Sequence, residues 1–149
     1  MNRLIRFARL PLRDQGLIVE AAATLVLAGA ALRAVSFARI ARRLGRHMAE
    51  SVPSEDAIVI GQARRVRWAV EAAAAHLPWK PVCFPQAVAA TLMLRRRAIA
   101  STLYLGVDPR RDLDAHAWVR VGGLIVTGAP LERRFTVVST FAWPAGSRP

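Results

Sequence analysis

The hydrophobic period of this chain changes once, and that change limits the folds open to it. Up to about residue 97 apolar residues recur at helical spacing. From Ser101 onward they alternate with polar ones every second residue. Helices first and strands afterwards give an α+β architecture with an antiparallel sheet, not interleaved βαβ units. The expected strands are "STLYLGV" (Ser101–Val107), "AHAWVRV" (Ala115–Val121), "LIVTG" (Leu124–Gly128) and "RRFTVVSTF" (Arg133–Phe141). Gly122-Gly123 reads as a two-residue hairpin turn. That turn would set Val121 opposite Leu124 and Ala117 opposite Gly128.

Two helices precede the sheet. One runs from about Asp56 to His76, with Val59, Ile60, Ala63, Val66, Val70, Ala73 and Ala74 on one face. Pro53 breaks the chain before it, Ser54 can cap it, and Pro78 and Pro81 end it. The next starts at Cys83 or Phe84 and closes at Arg95-Arg96-Arg97, where positive charge suits a helix C-terminus. Pro85 falls in its first turn, where a missing N–H costs nothing.

Residues 1–50 form a separate composition block, and 51–149 the expected core domain. Arginines crowd both ends of the block around an apolar centre. The uninterrupted run Ala21–Leu32 is 12 residues, bracketed by Glu20 and Arg33, against the roughly 20 that a transmembrane helix wants. "LAGAALRA" has a faint signal-peptide look, but Asp14 and Glu20 interrupt its approach. The reading adopted is a core helix followed by a basic amphipathic one, with membrane-surface contact through residues 1–48 as the alternative.

Charge narrows the partners. The net charge is +12 over 149 residues, carried by arginine except at Lys80. Such a balance suits a polyanion, an anionic membrane surface or an acidic protein. Metal-finger cysteines and aromatic–basic alternation in a strand are both missing, so nucleic acid is not expected. A single cysteine forms no internal disulfide, supports no multi-cysteine metal site and fits a reducing, cytoplasmic setting. His47, His76 and His116 lack zinc-type spacing. No cofactor is called for.

The lone cysteine is where chemistry enters. A free cysteine is ordinarily a small buried hydrophobe. At a helix start, however, the unpaired N–H groups and the macrodipole favour an anion there. The same N–H groups can hold an oxyanion. His116, on the first strand of the hairpin, can supply the proton partner; its plain alternative is a half-buried strand histidine. His47, among arginines, and His76, at a helix end, have plain explanations. Together, a helix-borne cysteine and a later strand-borne histidine make the layout of papain-like and transglutaminase-like catalytic cores.

The segments "CFPQAVAATLMLRRRAIASTLYLGV", "DAHAWVRVGGLIVTG" and "ERRFTVV" resemble the transglutaminase-like leader peptidases of lasso peptide biosynthesis. The leading "RFARLPLRDQGLIVEAAATLVLAGAALRAVSFARIARRLG" is similar to their N-terminal helical region. The resemblance implies a standalone cysteine peptidase that removes the leader from a ribosomally made lasso precursor peptide. It implies two partners: a small leader-recognition protein, and an ATP-dependent macrolactam synthetase that receives the freed core. Cys83 then matches the nucleophile and His116 the base.

The third member departs from the pattern. The family commonly carries an aspartate where this chain has Gly128. A backbone carbonyl or Thr127 can orient the ring instead, or Asp112, Asp114 or Glu132 can fold back to it. Of these acids, Asp114 and Glu132 are the catalytic candidates. Trp118, on the same strand face as His116, and Gln86, one turn into the cysteine helix, are candidates for binding substrate. Two rivals remain open. One is a transglutaminase-like acyltransferase using the same thioester; the other is a non-catalytic basic binding module.

Overall fold

The computed structural model describes residues 3–111, 114–129 and 134–144. Among these, five helices are followed by an antiparallel sheet, with one short strand between the third and fourth helices. The helices are α1 (Arg3–Ala8), α2 (Leu12–Ala34), α3 (Phe37–Leu44), α4 (Ala57–His76) and α5 (Cys83–Arg96). The strands are β1 (Arg46–His47), β2 (Ser101–Asp108), β3 (Asp114–Val121), β4 (Leu124–Thr127) and β5 (Thr136–Trp143). The sheet order is β1-β5-β2-β3-β4, antiparallel throughout. This is a mixed α+β fold with an N-terminal helical region.

Helices α2, α4 and α5 pack on one another, and α4 and α5 lie on the sheet. Ala63, Val66, Val70 and Ala73 of α4 meet Ala87, Ala90 and Leu94 of α5, while Leu103, Val119, Val126 and Phe141 face them from the sheet. Leu17, Ala21, Leu25 and Ala28 of α2 enter the same core, so residues on both sides of position 50 share it. Alanine dominates the helix contacts, which lets the helix axes come close.

The acids that interrupt the N-terminal block are compatible with one long helix. Asp14 binds Arg65 at 2.7 Å, and Glu20 takes Arg97 at 2.6 Å and Arg96 at 3.6 Å. Their charges are met from α4 and α5, so α2 runs 23 residues without a break. Among the described residues, α2 is the one helix long and apolar enough to cross a membrane.

Two local expectations are corrected. The cap of α4 is Asp56, whose carboxylate accepts the Ile58 N–H at 2.8 Å. Ser54 instead accepts the Asp56 N–H at 3.3 Å. In the hairpin, Val121 does face Leu124, but the register then shifts and Val119 pairs with Thr127. Val126 is the extra residue of a β-bulge, and its side chain fills the core. Gly128 therefore does not sit opposite Ala117.

Candidate active site

Cys83 is the first residue of α5, after the extended Val82. No side chain caps this helix, so its leading N–H groups stay free for another acceptor. The thiol is half-buried. It leans on the core on one side and lines a cleft of about 310 Å³ on the other. The cleft wall comprises Arg67 and Glu71 of α4, Cys83 and Gln86 of α5, His116 of β3, and the segment Val126–Ala129.

His116 reaches this cleft around the edge of the sheet. Along β3, Ala117, Val119 and Val121 turn into the helical core, while His116 and Trp118 turn to the opposite face. Strand β4 pairs only with Val119–Val121, so β3 is uncovered at His116. There the imidazole and the Cys83 thiol come to line one cleft.

The imidazole is held on several sides. Its Nε2 lies 2.9 Å from the Gly128 carbonyl oxygen. A carbonyl only accepts, so Nε2 carries a proton, and in the neutral ring the lone pair is on Nδ1. Phe135 stacks on the ring at 4.8 Å, and Trp118 at 6.0 Å. Trp118 is fixed in turn by Tyr104, at 5.3 Å and 4° between planes. The Tyr104 hydroxyl accepts from Arg120 Nε at 2.8 Å.

Glycines make the stack possible. Gly106 pairs with His116 in register, and a Cβ there would lie 2.8 Å from Phe135 Cβ and from the Trp118 ring. Gly128 has φ +90°, and a Cβ on it would lie 2.5 Å from Trp118 Cβ. The position where the resemblance calls for an aspartate thus has no space for one. Its backbone carbonyl meets the imidazole instead.

The other candidates fall as follows. Gln86 lines the cleft, and its amide donates to the Pro81 carbonyl at 2.7 Å. Trp118 is buried behind His116, on whose ring it stacks, and lies outside the cleft lining. Asp114 is exposed at the start of β3, opposite Asp108, and does not line the cleft. Asp112 and Glu132 lie outside the described residues. Thr127 lines the cleft with its hydroxyl buried and unpaired. His47 bonds Ser139 at 2.9 Å, and His76 Nδ1 donates to the Ala72 carbonyl at 2.6 Å. Both stand away from the cleft.

Sequence reasoning missed Arg67, Glu71 and Phe135. Arg67 donates to Glu71 at 3.0 Å and to the Ile125 carbonyl at 3.4 Å, so an ion pair forms one wall. The four-residue spacing of that pair was visible; its place beside β4 was not. Among the described residues, no group of histidine, cysteine and carboxylate side chains could hold a metal ion.

A model of the transglutaminase-like superfamily matches residues 24–140. The chain belongs to the transglutaminase-like superfamily. The match begins within α2 and ends within β5, so it takes in Cys83, His116 and Gly128. No curated protein and no solved structure matches the chain at a significant level. The superfamily is generally one of cysteine proteases and acyltransferases. A helix-borne cysteine and a strand-borne histidine on one cleft accord with that chemistry.

Proposed function

We propose that this transglutaminase-like protein is a cysteine endopeptidase that cuts the leader from a ribosomally synthesised lasso precursor peptide. The observation that carries the reading is the shared cleft of Cys83 and His116, with His116 Nε2–H fixed on the Gly128 carbonyl. That bond leaves Nδ1 as the basic atom. The "CFPQAVAA" and "DAHAWVRV" segments, similar to lasso leader peptidases, support the substrate assignment.

The reaction divides into two acyl transfers. His116 Nδ1 takes the Cys83 proton, and the thiolate attacks the carbonyl carbon at the end of the leader. The oxyanion is met by the uncapped N–H groups of Cys83 and Phe84. The Nδ1 proton then goes to the departing nitrogen. The core leaves with a free amine, and the leader stays on Cys83 as a thioester. Water, giving its proton to Nδ1, adds to the thioester; the C–S bond then breaks, the leader leaves as an acid, and Nδ1 returns the proton to the Cys83 sulfur. A leader-recognition protein would present the precursor, and the freed amine would serve the ATP-dependent macrolactam synthetase.

The test is intact-mass analysis of the protein, quenched in acid during turnover with a precursor and its recognition protein. A leader-sized adduct on Cys83, absent in Cys83→Ala, supports the thioester route. Cleavage without any dependence on Cys83 sinks it. Product formed only with an added amine acceptor would reassign the chain as an acyltransferase.

A further inference from the structure

We infer that the outer face of α2, with the groove beside it, seats the protein on an anionic lipid surface. The argument does not rest on the proposed peptidase activity. Helix α2 is apolar nearly all round, yet only 28% of its most apolar 18-residue window is buried. One side enters the core through Leu17, Ala21, Leu25 and Ala28. The other side leaves Leu12, Val19, Val26 and Leu27 exposed, at 84%, 58%, 44% and 67%. A contiguous face of this kind on a strongly charged protein marks a contact surface. Because α2 also packs along α4 and α5, it is placed to lie on a bilayer and not to cross one.

The neighbouring groove has the matching chemistry. It encloses about 600 Å³ between α2 and the segment before α5, lined among others by Val26, Leu32, Arg33, Trp79, Lys80 and Val82. Trp79 and Val82 are exposed at 47% and 69%. The lining has two cations and no acid. An aromatic beside cations on an apolar floor suits the boundary between headgroups and acyl chains. On α3, the next helix in the chain, Arg39, Arg42 and Arg43 are exposed, and among the described residues no carboxylate pairs with them. The net charge of +12 selects an anionic surface over a neutral one.

The experiment is co-sedimentation of the full chain with vesicles of phosphatidylcholine, alone or with one third phosphatidylglycerol. The expected result is binding that requires phosphatidylglycerol and weakens with salt. Val26→Glu/Leu27→Glu, which alters only exposed positions, should lower the partition coefficient about tenfold or more. Arg33→Gln/Lys80→Gln should lower it about thirtyfold by removing two charges near the surface. Circular dichroism confirms that each variant is folded. Absence of binding to the anionic vesicles overturns the inference. So does binding unchanged in both variants, which would mean that the arginines elsewhere act alone. A wild-type dimer that Val26→Glu/Leu27→Glu converts to monomer, without vesicle binding, would assign the face to a second copy of the chain.

Discussion

His116 is oriented by the backbone of Gly128: its Nε2 donates to that carbonyl oxygen at 2.9 Å. A backbone acceptor fixes the tautomer as a carboxylate would, but brings no charge to stabilise an imidazolium. This pairing governs what substitutions near the cleft should do.

An aspartate placed at position 128 should not improve the site. A side chain at position 128 meets Trp118 Cβ at 2.5 Å and the Ala117 carbonyl at 2.8 Å, from a backbone with φ +90°. Gly128→Ala and Gly128→Asp should each cost about 2 kcal/mol or more in stability. Both should lower precursor cleavage about a hundredfold by displacing the carbonyl from His116. Thermal denaturation and cleavage rates check this; a Gly128→Asp variant faster than wild type would contradict it.

Position 106 supports the histidine from behind. Gly106→Ala places a methyl 2.8 Å from both Phe135 Cβ and the Trp118 ring. The stack must open, at about 1–3 kcal/mol. The His116 ring resonances should shift in the NMR spectrum while the Cys83 side of the cleft keeps its chemistry. Unchanged resonances would mean that the stack does not position the ring.

Glu20 ties α2 to the end of α5. The hydrogen bond from Arg97 is the main cause holding its carboxyl below the ordinary carboxylate range; burial opposes it, and the charges of Arg97 and Arg96 add to it. A group lowered on folding contributes stability above its unfolded value, and loses it as pH falls through the folded one. Glu20→Gln should therefore cost about 1 kcal/mol at neutral pH and almost nothing in strong acid. Urea melts of both proteins at pH 7 and pH 3 would show it; an equal difference at the two pH values would count against the ion pair.

Much of this was legible in the residues. The change of period separated helices from sheet, Pro85 marked the start of α5, and Gly122-Gly123 marked the hairpin. Strand β1 was not legible, because Arg46 and His47 are only two polar residues with no alternation to mark them, and their partners on β5 lie far along the chain. The bulge at Val126 was hidden for a similar reason. Alternation reports faces, and one extra residue is admitted only by the packing beneath it. The length of α2 was obscured by Asp14 and Glu20, whose partners lie far along the chain at Arg65 and Arg97. For the site, Cys83 and His116 announce themselves as side chains. The carbonyl of Gly128 has no residue signature, and only the fold places it on the imidazole.

The most direct test of the central claim is mass spectrometry of a lasso precursor peptide incubated with the leader-recognition protein and either wild type or Cys83→Ala. The account predicts cleavage at one bond by wild type, with a free amine on the core, and intact precursor with the variant. Equal cleavage by both, or none by a folded wild type with the recognition protein present, would contradict it.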